Sequence, residues 1–146
     1  MAELRSSSAA ASYFLGPKFD GLPLTAIIGQ RDAPDFIYGD CTPPSGIDAG
    51  GCPPPLEVQH WPVSKRPPSR FAHDIACHRV KIHGRTAAIF ESTGGIEVYI
   101  GMSTVVIFAD SARRMKRAAA ALRPVKGGAV PPAPGWVERQ LARRCP

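Results

Sequence analysis

No apolar run in this sequence approaches the ~18 residues of a membrane-spanning helix. Nor does it contain Gly-x-Ser-x-Gly, a Gly-x-x-x-x-Gly-Lys-Ser/Thr phosphate loop or Gly-x-Gly-x-x-Gly ahead of a helix, so the common nucleophile and nucleotide signatures are absent. Cysteine is sparse. Four in 146 residues are too few for a disulfide scaffold, and none forms a Cys-x₂₋₄-Cys knuckle. The opening MAELRSSSAAAS has no apolar h-region, so a cytoplasmic protein with reduced thiols is expected. An exported protein whose leader has been removed, and which is therefore extracytoplasmic, would read the same way. Acidic residues are missing from one region: residues 113–146 hold nine of the 18 Lys/Arg but only Glu138 of the 12 acids.

The local charge is therefore +8 at the C-terminal quarter against −2 for residues 1–112, within a total of +6. Such asymmetry points to an anionic partner, either a macromolecule or an acidic protein; its plain alternative is a solvated face that keeps the chain dispersed. The residues expected to meet that partner are Arg113, Arg114, Lys116, Arg117, Arg139, Arg143 and Arg144. Trp136 beside Arg139 and Arg143 is the one aromatic placed to stack on a base.

Proline and glycine, 16 and 14, together exceed a fifth of the chain and exclude a helical bundle. Eight of the prolines fall between residues 43 and 68, which reads as semi-rigid surface loop interrupted by an alternating strand, Leu56 to Trp61. Short apolar runs at Tyr13–Leu15, Leu24–Ile28 and Phe36–Tyr38 are further strands, and Gly21-Leu22-Pro23 marks a turn. The segment from Val80 to Phe90 reads as one strand, with His83 between Lys81 and Arg85 on its exposed side. Ile96–Ile100 and Thr104–Phe108 follow. Pairing Phe90 with Ile96, and turning the chain at Met102-Ser103, collects Val80, Ile82, Ala88, Phe90, Ile96, Val98, Ile100, Val105 and Ile107 on one apolar face. Lys81, His83, Arg85, Glu97 and Tyr99 fall on a polar one. That polar face would suit an anion or polar ligand, or simply water.

Asp110 is placed to cap a helix from Ser111 to about Leu122, with Ala112, Met115, Ala119 and Leu122 as its apolar stripe. VKGGAVPPAP is then a linker to a short basic helix, Gly135 to Arg144, with Trp136, Val137 and Leu141 on its apolar side. The expected organisation is a disordered arm over 1–12, one domain over 13–124, and linker plus basic helix over 125–146. The expected fold class is α+β: an antiparallel β-sheet of five to seven strands, one helix packed on one face, and a Pro/Gly-rich loop region.

Cys41 and Cys52 bracket a ten-residue turn-rich loop whose ends can come within disulfide range. In an oxidising compartment they are the candidate pair, which leaves Cys77 and Cys145 as free thiols; otherwise both sit reduced at loop edges. His73, Cys77 and His78 are the alternative, as metal ligands or part of a small enzyme site, although neighbouring Cys77 and His78 would point opposite ways on a strand.

The segments Gly21-Leu22-Pro23-Leu24, Tyr38-Gly39-Asp40-Cys41, Gly51 to Gln59 (GCPPPLEVQ) and Trp61-Pro62 resemble those of uncharacterised small α+β proteins encoded in high-GC bacterial genomes. The resemblance spans roughly residues 13–122, implies no activity, and favours a structural Cys41–Cys52 bridge. Taken together, the expectation is a non-enzymatic binding or interaction module without a cofactor, its basic C-terminal region facing an anionic partner.

Overall fold

Turn residues decide where this chain reverses, and they do so more often than alternation alone implies. A computed structural model describes residues 12–30, 33–40, 53–68, 76–90 and 94–145. In chain order the elements are β1 (Tyr13–Phe14), β2 (Lys18–Phe19), β3 (Leu22–Gln30), β4 (Ala33–Tyr38), β5 (Leu56–Pro62), β6 (Cys77–Ile82), β7 (Arg85–Phe90), β8 (Gly95–Ile100), β9 (Ser103–Ala109), α1 (Ala112–Ala121), β10 (Arg123–Pro124) and α2 (Gly135–Arg144). The segment read as one strand from Val80 to Phe90 is two. His83 and Gly84 both take positive φ, 48° and 77°, and join Ile82 to its partner Arg85 as a two-residue hairpin turn. Histidine tolerates the left-handed region better than most residues and glycine does so freely, which is the chemistry a type I′ turn requires. Asp20-Gly21 repeats the device between β2 and β3, with φ of 54° and 80°.

The main sheet has eight antiparallel strands in the order β2-β3-β4-β5-β9-β8-β7-β6, and β1 pairs separately with β10. It consists of two meanders, β2 to β5 and β6 to β9, joined along a central seam between β5 and β9. The α+β architecture matches expectation, but among the described residues the strand count exceeds five to seven and there are two helices rather than one. The helices lie on opposite faces.

That second covered face changes the register. Phe90 pairs with Gly95, Ala88 with Glu97 and Thr86 with Tyr99, one residue away from the expected pairing. The next hairpin turns at Gly101-Met102, so Ile100 faces Ser103 and Val98 faces Val105. On the first face Ala87 and Ile89 therefore join Val80, Ile82, Ile96, Val98, Ile100, Val105 and Ile107; Ala88 and Phe90 belong to the other. The expected register assumed that only one face is apolar and buried. Phe90 instead packs beside Ala88 and Tyr99 under α2, whose Val137 and Leu141 are fully buried. A one-residue slip moves every side chain across the sheet, and here both sides offer apolar cover.

The larger core lies on the first face. Phe36, Tyr38, Leu56, Val58, Ile96, Val98, Val105 and Ile107 meet Met115, Ala118 and Ala119 of α1 and the N-terminal Tyr13, Phe14 and Leu15. Ser111, not Asp110, caps α1: its Oγ accepts from the Arg114 N–H at 3.1 Å. Asp110 pairs with the Arg114 guanidinium instead. Ala112 is exposed, and Ala118 takes its place in the buried stripe. The second face buries Glu97, at 1% exposure, where Arg66 Nε donates to its Oε1 at 2.7 Å. Glu97 and Tyr99 were expected on a solvated face. The α2 layer and the Arg66 side chain explain why neither is solvated.

Candidate functional site

A buried disulfide decides what the C-terminal region is. Cys77 in β6 and Cys145 just after α2 are bonded, with Cα atoms 5.1 Å apart across a separation of 68 residues. The pair expected to remain free is thus the bonded one, and neither sulfur is a thiolate. Cys77 points to the α2 side of the sheet, whereas His78, paired with Ile89, points to the other. His73, Cys41 and Cys52 lie outside the described residues. Among the described residues no group of three or more His, Cys, Asp or Glu is placed to hold a metal, and no helix is long and apolar enough to cross a membrane.

The structure divides the seven candidate basic residues between two sides of the sheet. On α1, Arg114 donates to Asp20 at 3.0 Å and also pairs with Asp110, and Arg117 pairs with Asp20 at 2.8 Å. These pairs hold Asp20 below the usual carboxylate range and raise Arg114, hydrogen bonding being the main cause in both. They tie α1 to the β2–β3 hairpin, so two of its four cations are already partly neutralised; Arg113 and Lys116 stay exposed. On the opposite side α2 exposes Arg139 and Arg143, with Arg144 half-buried. Val137 and Leu141 anchor this helix inward, and the disulfide fixes its end to β6. Arg79 of β6, paired with Ala88, projects on the same side and lies close enough to Glu138 to help lower its pKa. Sequence patterning missed Arg79 because the run was read without knowing which strand lies at the sheet's edge.

At the turn end of β6 and β7 a cleft of about 340 Å³ opens between the His83-Gly84 turn, the Val130–Ala133 segment and the first turn of α2. Buried Thr86 and Tyr99 line it together with Lys81, Glu138 and Pro131. Lys81 Nζ donates to Thr86 Oγ1 and to Glu138 Oε1, each at 2.8 Å, and the Thr86 hydroxyl donates to the same Oε1. These bonds hold the Glu138 carboxyl below its ordinary range, so it is ionised at neutral pH. Lys81, His83 and Arg85 were expected together on one face. Only Lys81 shares the α2 face; His83 is the turn, and Arg85 lies on the far face, where its Nη1 donates to the carbonyls of Ala119 and Ala120 at the end of α1. That is a helix C-terminal contact, which suits a cation.

His60, which no motif singled out, is displaced well toward its neutral form. It is 5% exposed; its Nε2 accepts from the Tyr13 N–H at 2.9 Å and its Nδ1 lies 2.8 Å from the Pro34 carbonyl. An accepting Nε2 and a donating Nδ1 define one neutral tautomer. Burial pushes the pKa down to about 4 against the opposing pull of the two backbone bonds. This imidazole fastens β1 and β4 to β5 and is structural. On the other face, burial and then the charge of Glu57 raise Asp35 to about 6.

Comparison of the chain with family models, curated proteins and solved structures finds no match.

Proposed function

We propose that this protein is an extracytoplasmic, non-enzymatic binding module whose anionic partner docks on the side of the sheet formed by α2 and the edge strand β6. The observation that carries the reading is the Cys77–Cys145 bond together with the buried Val137 and Leu141: they hold a basic helix as a fixed surface rather than a loose tail. Arg79, Arg139 and Arg143 are exposed cations of that surface, beside Lys81, which is paired with Glu138. A buried disulfide of this kind persists in oxidising compartments, which supports the location. A preset array of cations loses less conformational freedom on binding than a flexible one.

The test is binding of the intact chain to heparin and to duplex DNA across a salt series. Three phosphate contacts give a log–log slope of roughly −3, without sequence preference. Replacing Arg79, Arg139 and Arg143 by Glu should abolish binding; replacing Arg113 and Lys116 should leave most of it. Equal losses from the two sets would refute the assignment of the surface. No binding of the intact chain at ~50 mM salt would refute the polyanion reading.

A further inference from the structure

Independently of the polyanion reading, the cleft beside α2 carries a recognition pattern of its own. Lys81 Nζ has three N–H groups and uses two, on Thr86 and Glu138. Both donors to Glu138 converge on Oε1. One ammonium N–H and the Oε2 atom of an ionised carboxylate are therefore left without a hydrogen bond among the described residues, and they belong to two side chains only 2.8 Å apart at their nearest atoms. Both residues line the cleft, together with His83, Gly84 and Arg85 at its turn end and, on its apolar side, Val130, Pro131 and Tyr99; the Arg85 guanidinium is engaged with the carbonyls of Ala119 and Ala120.

We infer that this cleft binds a small zwitterion, an α-amino acid with an apolar side chain. The ligand carboxylate takes the spare Lys81 N–H, and the ligand ammonium donates to Glu138 Oε2. The two ligand charges must sit on neighbouring carbons, because the two protein groups are themselves in contact. A simple anion would satisfy Lys81 while its charge faced the Glu138 carboxylate. A simple cation would meet the converse conflict at Lys81. A polyol would replace two charge-assisted bonds by weaker neutral ones. The ligand side chain lies against Val130 and Pro131, and about 340 Å³ accommodates a single amino acid of any size.

The experiment is a titration of the isotope-labelled full chain with L-phenylalanine, followed by nuclear magnetic resonance, beside N-acetylphenylalanine and phenylalanine amide. Phenylalanine should give saturable shifts centred on Lys81, Thr86 and Glu138. Each blocked analogue should bind about tenfold more weakly or worse, having lost one charge-assisted bond. Glu138→Gln should cause a similar loss for phenylalanine, with the thermal midpoint confirming that α2 remains docked. The ligand series decides the matter alone if that variant does not fold. Arg139→Glu with Arg143→Glu, which tests the polyanion surface, should leave the phenylalanine titration unchanged. Absence of saturable shifts, or equal binding of either blocked analogue, would overturn the inference.

Discussion

Acidification should remove the contribution of one imidazole to the stability of this protein, a loss seen in full once one opposing carboxyl is replaced. In the unfolded chain His60 takes up a proton near pH 6.5, whereas in the folded chain it does so only near pH 4. Between those values the unfolded state binds one more proton, so stability falls as the pH drops. The separation is about 2.5 units at 1.36 kcal/mol each, a loss of about 3 kcal/mol complete by pH 4. That is a large part of the 5–15 kcal/mol typical of folded domains. Asp35 works in the opposite sense. Its folded pKa of about 6 lies above the unfolded value, so its contribution is fully present below pH ~3.9 and is lost as the pH rises through 6. The two windows overlap and blunt each other in the native chain. Asp35→Asn removes the opposing group, and urea unfolding followed by tryptophan fluorescence at pH 7, 6, 5 and 4 should then show the full decline. Adding His60→Gln to that background, which keeps one donor and one acceptor, should flatten the profile over this range by about 3 kcal/mol. Groups with depressed carboxyl pKa values, such as Asp20 and Glu138, are common to both variants and cancel in the difference. Identical pH profiles with and without His60 would show that the imidazole is not held neutral, and the argument from its two backbone partners would fail.

Two further outcomes follow from the packing. Cys145→Ser should lower the unfolding free energy by about 4 kcal/mol in the chain-entropy model for a loop of this length, read from urea midpoints, and unreduced peptide maps of the intact chain should recover a Cys77–Cys145 link. Val98→Asp should unfold the protein and Lys81→Ala should stay within ~0.5 kcal/mol; Glu97→Ala should cost about 3 kcal/mol because it strands Arg66, a difference visible in thermal midpoints.

Most strands were legible because alternation survives wherever a strand has one dominant apolar face, as in Leu56 to Trp61. The α1 stripe was legible for the same reason at helical period. The His83-Gly84 reversal had a local signal, a left-handed-tolerant residue before glycine between two apolar runs, but the flanking alternation continues through it and disguised the turn. The side chosen by Phe90 had no local signal at all. Ala87 and Ala88 put one alanine on each face of the strand, which makes the two registers nearly equal in apolar content, and only the tertiary position of Val137 and Leu141 separates them. The Cys77–Cys145 pairing is equally nonlocal, since four cysteines allow three connectivities and spacing chooses none. The basic residues were visible as a count. Their division between two helices on opposite faces depends on which layer each helix joins.

The seam between β5 and β9 has a consequence for the chain while it is being made. Leu56 pairs with Ala109 and Pro62 with Ser103, so β5 is synthesised 41 to 53 residues before the strand that covers its inner edge. At ribosomal rates of about 5–20 residues per second, that interval is roughly 2–10 s. Throughout it the first meander can pair β5 with β4, but β5 faces outward with Leu56 and Val58 uncovered and its backbone groups open to any other extended chain. The second meander is local and can assemble on its own, yet it reaches its place only when β9 does. A nascent chain of this topology is therefore a substrate for whatever cellular factor shields open strand edges. Aggregation during expression should track residues 56–62 rather than the strands at the margins of the finished sheet.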